Sequence, residues 1–345
     1  MVTRERGADR PPGMADVARL AGVSHQTVSR VVNGHPNVRE ETRRRVRDAI
    51  DALAYRRNPA ARALVTRRTA MVGVVGPNTT LYGPSSTLGA IERAAGDVGY
   101  AVTVAALRDT GPSSLDEAVQ RLVGQMVDGI IVIASLGWMT AALSHRPPAV
   151  PVVVVDGGAA LSAPVVAVDQ FAGARAATRH LLDLGHRTVG HIAGPGDWLD
   201  AAARLEGWRT ELAACGAPVP RPWSGDWSPR SGYDAGREIA RRGGVTAVFA
   251  GNDHMALGAL RAFQEAGLRV PEDIALVGFD DVPEAAFYAP PLTTVRQDFS
   301  SVGRRCIELL LARLEDGHEA AEHVLVPPEL VVRSSTCAPR SAAGG

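Results

Sequence analysis

The sequence predicts an all-α helix-turn-helix head followed by an α/β body of two doubly wound parallel-sheet subdomains. Three observations predict it. Residues 14–55 read as three short amphipathic helices, interrupted at Gly22 and at Asn33-Gly34. From residue 71 onward, short Val- and Ile-rich runs alternate with helical stretches, the pattern of parallel sheets covered on both faces. Charge divides between the same two parts. Residues 1–68 hold 15 Arg against 7 acids and residues 69–345 hold 22 Arg against 30, inside a chain of zero net charge. A basic head on an acidic body points the head toward a polyanion.

The charged lead, residues 1–13, has no apolar stretch and does not read as a signal peptide. The first helix runs from Met14 to Ala21, with Val17, Leu20 and Ala21 apolar, and Gly22 breaks it. Ser24 is a good N-cap for the second, which stops at Asn33-Gly34. Val28, Val31 and Val32 share one face of that helix; His25, Gln26, Ser29 and Arg30 share another. Gln and Arg can pair two-point with adenine and guanine edges in the major groove. A merely solvated polar face has the same composition. The third helix spans about Arg39 to Tyr55, with Val46, Ile50 and Leu53 inward and Arg43, Arg44, Arg45 and Arg47 outward, suited to phosphate. Asn58 to Leu64 is Ala-rich, helix-compatible and too short to be stable alone.

The body's apolar runs are Met71–Val75, Ala101–Ala106, Gly129–Ala134, Val152–Val155, Thr188–Ile192, Ala247–Ala250 and Ile274–Gly278. Ligands of such folds bind at the carboxyl ends of strands. Asp156, Asn252 and Asp280 follow such runs directly, and Arg204 follows Gly194-Pro195-Gly196. That Gly-x-Gly lacks the third glycine of a dinucleotide fingerprint. No metal spacing, Walker sequence or nucleophile motif occurs, so neither cofactor nor enzyme chemistry is expected. Hydrophobic content of 46% supports a packed core, and no apolar run is long enough to span a membrane. Cys215, Cys306 and Cys337 are odd in number and far apart, as reduced thiols in the cytoplasm would be.

Asp16-Val17-Ala18, Ala21-Gly22-Val23-Ser24 and Thr27-Val28-Ser29-Arg30-Val31-Val32-Asn33 resemble the LacI/GalR family of repressors. The resemblance extends through LYGPSS, NDHMALGALRA, RVPEDIALVGFDD and PPLTTVRQDF to nearly the whole chain. It implies a helix-turn-helix domain over 14–57 that reads operator DNA through Ser24, His25, Gln26, Thr27, Ser29, Arg30 and Asn33. His25 stands where one family member carries Tyr. Gly13 and Arg39 replace a common Thr and Ser at helix starts that touch phosphate. Residues 58–68 would be a hinge helix and linker, with Asn58, Ala61 and Leu64 at the minor groove and Leu64 wedging a base step.

The body, 69–336, would resemble periplasmic sugar-binding proteins. A DNA-proximal subdomain would hold 69–168 and 296–326, a distal one 169–295 and 327–336, with three chain crossings between them. Carboxylates, amides and Arg suit vicinal hydroxyls, and an aromatic ring suits the C–H face of a sugar. Asp156, Arg204, Asn252, Asp280 and Gln297 supply the first need, Trp227 and Phe299 the second. Leu81, Gly83, Pro84 and Thr87 match the wall, Gly83 and Thr87 being smaller than their counterparts. Each has a plain alternative: Asp156 or Asp280 as a helix cap, Arg204 in a surface ion pair, Trp227 and Phe299 as packing. The tail, 337–345, is small-residue-rich and without heptads, so it is expected loose and the chain a homodimer. The resulting expectation is a repressor that binds a near-palindromic operator and answers to a galactoside, or to another disaccharide such as cellobiose. A transport component is the rival from another class.

Overall fold

A computed structural model describes residues 12–32, 35–55, 68–77, 80–109, 111–157, 161–316 and 322–339. Contacts divide the chain into a unit up to Thr69 and a unit from Ala70.

In the head, α1 is Met14–Ala21, α2 His25–Val32 and α3 Glu40–Ala52. Asp16 accepts from the Gly13 N–H at 2.9 Å, so α1 is started by its own first turn. It ends at Gly22 with φ 62°, where glycine carries no steric penalty. Ser24 Oγ accepts from the Thr27 N–H at 3.1 Å and caps α2 as expected. Val17, Ala21, Val28, Val31, Val46 and Ala49 form the small core. Leu20 lies outside this core and is 56% exposed, one position round the helix from Ala21.

The body holds two six-stranded sheets. The first lobe has the order β11-β5-β4-β3-β1-β2, the second β12-β10-β9-β8-β6-β7. The strands are β1 Met71–Gly76, β2 Ala101–Ala106, β3 Gly129–Ile133, β4 Val152–Val155, β5 Val165–Val168, β6 Gly190–Ala193, β7 Trp223–Ser224, β8 Ala247–Ala250, β9 Ala275–Asp280, β10 Thr293–Arg296, β11 His323–Val326 and β12 Glu329–Val331. All pairings are parallel except β10 with β12. The helices are α4 Tyr82–Asp97, α5 Pro112–Gly124, α6 Gly137–His145, α7 Gln170–Asp183, α8 Leu199–Ala214, α9 Pro229–Arg242, α10 Asp253–Glu265 and α11 Phe299–Asp316.

Proline at the first turn starts α5 and α9; Asp169, Ser228 and Asn252 cap α7, α9 and α10 through side-chain oxygens. Each sheet is apolar on both faces and carries one hydrophobic cluster on each. The chain passes from the first lobe to the second after β5, returns to α11 after β10, and leaves again between β11 and β12.

The tail expected to be loose from Cys337 is fastened through its first residues. His186 Nε2 donates to the Cys337 carbonyl at 2.9 Å, while its Nδ1 lies 2.8 Å from Thr246 Oγ1. Pro339 lies against Gly185. Ser335 pairs through its backbone with Leu276 and through its hydroxyl with the Leu276 carbonyl and the Thr293 N–H. Among the described residues no helix is long and apolar enough to cross a membrane, and no cluster of metal-ligating side chains occurs.

Candidate functional site

Between the lobes lies a small cavity, partly open to solvent. The start of α4 contributes Leu81, Tyr82, Gly83 and Pro84 from the first lobe. The second lobe contributes Trp198, Asp200 and Arg204 from the start of α8, Trp227 before α9, Asn252 before α10 and Asp280 at the end of β9. A larger hollow on the outer surface between α9 and α10 is an open groove, in which Tyr233 donates to Glu265 at 2.6 Å and Arg237 lies over the Tyr233 ring.

Arg204 is the centre of the site. It is 4% exposed, and its guanidinium lies 3.8 Å from the centroid of the Phe279 ring and 5.4 Å from that of Trp227. Nε donates to Gln170 at 2.9 Å and Nη1 to the Gly251 carbonyl at 2.5 Å. Nη2 is left between two carboxylates, 3.7 Å from Asp280 and 3.9 Å from Asp200. Gln297 donates to Asp280 at 2.7 Å and accepts from Gln170 at 2.9 Å, which closes a ring of polar groups behind the cavity wall.

The electrostatics follow from three acids around one guanidinium. Burial pushes the Asp280 carboxyl up to about 6 against the opposing pull of Arg204. Asp156 is raised well above the ordinary carboxylate range by burial and by Asp200, and Asp200 is raised by burial. Asp156, Trp227 and Asp280 have φ of 61°, 72° and 115°, three of the seven non-glycine residues with positive φ among those described. Such backbone costs of order 1–3 kcal/mol each and concentrates at ligand sites. Trp227 is 6% exposed and its Nε1–H has no acceptor, so a buried donor stands unpaired at the cavity wall.

Gly194 explains the Gly-x-Gly: a Cβ there would run into the six-membered ring of Trp227. Asn252 has a double role. Its oxygen caps α10 through the Met255 N–H at 2.8 Å, and its amide donates to the Trp227 carbonyl at 3.1 Å, leaving one N–H for a ligand.

Seven of the eleven expected ligand residues thus share one cavity: Leu81, Gly83, Pro84, Arg204, Trp227, Asn252 and Asp280. Four do not line it. Gln297 is buried behind Asp280, its amide turned to that carboxylate. Phe299 begins α11 and meets Tyr82 edge-on at 5.9 Å, in a neighbouring hollow. Thr87 is 3% exposed inside α4. Asp156 follows β4 and is linked to Asp200 and Arg204 through charge. Sequence reasoning missed Tyr82, Trp198 and Asp200. Asp200 carried a signal, since it stands one helical turn before Arg204 on α8. His186 and His191 are structural. His191 is stacked on Phe249 at 4.7 Å, and burial brings its pKa down to about 4.

In the head, Ser24, His25, Gln26 and Arg30 are exposed, while Thr27 and Ser29 are half-buried. The polar face of α2 is therefore open to a partner. Asn33, Asn58, Ala61 and Leu64 lie outside the described residues. Of the four arginines expected on phosphate, two are engaged within the head. Arg45 donates to the Ala21 and Gly22 carbonyls at 2.6 and 3.1 Å, and Arg43 donates to the His35 carbonyl and pairs with Glu40. Arg44 and Arg47 remain exposed. Neither Gly13 nor Arg39 makes a side-chain cap.

Residues 13–58 match the family described as bacterial regulatory proteins, lacI family, and residues 178–336 match a periplasmic binding protein-like domain. The lactose operon repressor of Escherichia coli K12 is 36% identical over 334 residues, 96% of this chain and 92% of that protein. A crystal structure of the lac repressor dimer bound to operator and the anti-inducer ONPF superposes with a TM-score of 0.85 at 35% identity, covering 95% of this chain and all of the other. A complex of the transcriptional regulator CelR with cellobiose gives 0.71 at 33% identity, covering 94% and 99%. These relatives are transcriptional regulators rather than enzymes. With that likeness running from the head through both lobes, the chain belongs to the lacI family of bacterial regulatory proteins.

Proposed function

We propose that this regulator represses a carbohydrate-utilisation operon and is released by a sugar, a galactoside such as lactose or allolactose. It binds a near-palindromic operator as a homodimer, two equal heads meeting two equal half-sites. Gln26 and Arg30 are the base readers with the best chemistry for the task, and His25 tunes the site. The observation that carries the ligand class is the convergence of Arg204 Nη2, Asp200 and Asp280 beside the unpaired Trp227 Nε1–H. Vicinal hydroxyls donate to the carboxylates and accept from the guanidinium and indole, while the indole face covers C–H groups. Sugar and operator oppose each other through the lobes, and their coupling is reciprocal. The likeness to an operator-bound relative supports the DNA-binding part of this reading.

Cellobiose is the second reading. Gly83 favours it, since a Cβ there would meet nothing within 4 Å and the wall beside the sugar is open. The CelR likeness favours it too. A thermal-shift panel of sugars tests both, because stabilisation grows with the ratio of ligand to Kd. Arg204→Ala abolishes the shift and leaves operator binding intact. A shift that survives in Arg204→Ala puts the sugar elsewhere.

A further inference from the structure

The lobes also touch along a short stretch of backbone at the cavity rim. Ser135–Gly137 follows β3 in the first lobe, and Asp197–Leu199 precedes α8 in the second. Leu136 and Trp198 pair antiparallel: the Leu199 N–H donates to the Ser135 carbonyl at 2.9 Å and the Gly137 N–H to the Asp197 carbonyl at 3.3 Å. The Trp198 indole packs against the hydrophobic cores of both lobes. The same indole lines the cavity, edge-on to Trp227 with centroids 6.0 Å apart and planes at 78°. Asp200 and Arg204 follow on the helix that Trp198 introduces.

We propose that Trp198, cavity wall on one side and interlobe clasp on the other, is the positioning residue through which an occupant of the cavity changes how the lobes are held. The inference rests on the sugar-site reading. The cavity has a volume of only about 30 Å³, space for a water or two and not for a sugar ring. A wall must yield. Arg204 is held by Gln170, Gly251 and Phe279, and Trp227 is held against Gly194. Trp198 is one of three half-buried wall residues packed against the opposite lobe's core, with Leu81 and Tyr82, and its own backbone makes the pairing with Leu136 across the lobes. A ring that displaces its indole withdraws it from the first lobe's core and loads the two backbone hydrogen bonds beside it. Occupancy and lobe arrangement then become one equilibrium.

The clasp can be weakened without touching the cavity. Gly137 is the first residue of α6, where proline is well tolerated, and Leu136 before it already has φ −110° and ψ 135°, as a residue preceding proline requires. Gly137→Pro therefore deletes one interlobe hydrogen bond and spares the helix. The test uses the full chain, a palindromic duplex selected by it from a random pool, and a panel of lactose, cellobiose, maltose, galactose and glucose. The wild-type chain binds a panel sugar in calorimetry, and that sugar weakens duplex binding at least tenfold. In Gly137→Pro, duplex affinity without sugar stays within threefold and the sugar still binds, but the weakening falls below threefold; in Trp198→Ala the weakening measured at saturating sugar falls likewise. Trp198→Phe, which keeps a ring in the wall, retains most of it. Full wild-type weakening in both Gly137→Pro and Trp198→Ala overturns the clasp and leaves the sugar site standing. A wild-type chain that binds no panel sugar overturns the sugar reading and the clasp together.

Discussion

Replacing Asp280 by Asn removes one buried charge and should flatten the pH dependence of the body's stability. The Asp280 carboxyl has a pKa of about 6 in the folded chain, against 3.8 for an ordinary aspartate. Between those values the folded state holds a proton that the unfolded state has lost. Stability therefore falls as pH rises from about 4 through 6, and is regained on acidification. The full difference corresponds to about 3 kcal/mol at 1.36 kcal/mol per unit, of which roughly 2.5 lies between pH 4 and 7. Asn keeps an oxygen to accept from Gln297 Nε2, now at 2.7 Å, so the polar ring survives the substitution.

The assay is urea unfolding followed by tryptophan fluorescence. All five tryptophans lie between Trp138 and Trp227, so the signal reports the body alone. The difference in unfolding free energy between Asp280→Asn and wild type should grow by about 2.5 kcal/mol from pH 4 to pH 7. The comparison cancels titrations common to both chains. Asp253 adds to the effect in the same direction, because the Asp280 charge helps to raise its pKa. Parallel curves, within about 0.5 kcal/mol over that range, would refute the view that Asp280 is a buried, reluctantly ionised carboxylate.

Gly194→Ala drives a methyl group into the Trp227 ring. It should cost about 1–3 kcal/mol by overpacking and remove sugar-induced stabilisation in a thermal-shift assay, with duplex binding unchanged. Arg45→Ala frees the Ala21 and Gly22 carbonyls at the end of α1. It should cost the head about 1 kcal/mol, read as faster amide exchange in α1, and weaken duplex binding alike on all sequences. His25→Tyr acts on an exposed side chain at the start of α2. It should change which duplexes a selection recovers, with little change in non-specific binding; equal loss on every sequence would count against base reading by this residue.

Local chemistry made the head legible in the sequence. A helix break at Gly22, a cap at Ser24 and three valines on one face fix α1 and α2 without help from distant residues. The all-apolar strands β3, β4 and β8 announced themselves in the same way. Strand β10 did not: Thr293 and Thr294 look like loop residues, and they are buried because Ser335, Thr336 and Asp253 satisfy their hydroxyl and amide groups from far along the chain. The site divides along similar lines. Asn252 and Asp280 sit at strand ends and Arg204 in the second turn of α8, and their place in the cavity was legible. Trp198 was not, because its place in the cavity depends on an antiparallel pairing with Leu136 that no local pattern encodes. The family resemblance alone implies Gln297 and Phe299 at the ligand, the amide for hydroxyls and the ring for the C–H face. Hydrogen bonding to Asp280 turns the first behind the wall, and the helix that starts at the second carries it to Tyr82.

The three crossings between the lobes have a consequence for synthesis. The head uses one continuous stretch and can fold once about residue 55 has left the ribosome. Neither lobe can do the same. The first lobe lacks helix α11 and edge strand β11, and the second lacks edge strand β12, until the last few dozen residues emerge. During elongation a finished reading head is thus tethered to two unfinished sheets with open edges, and both become complete almost together. A chain interrupted near residue 290 would retain a folded head with neither lobe closed. The order of the segments makes the capacity to be regulated the last property the protein acquires.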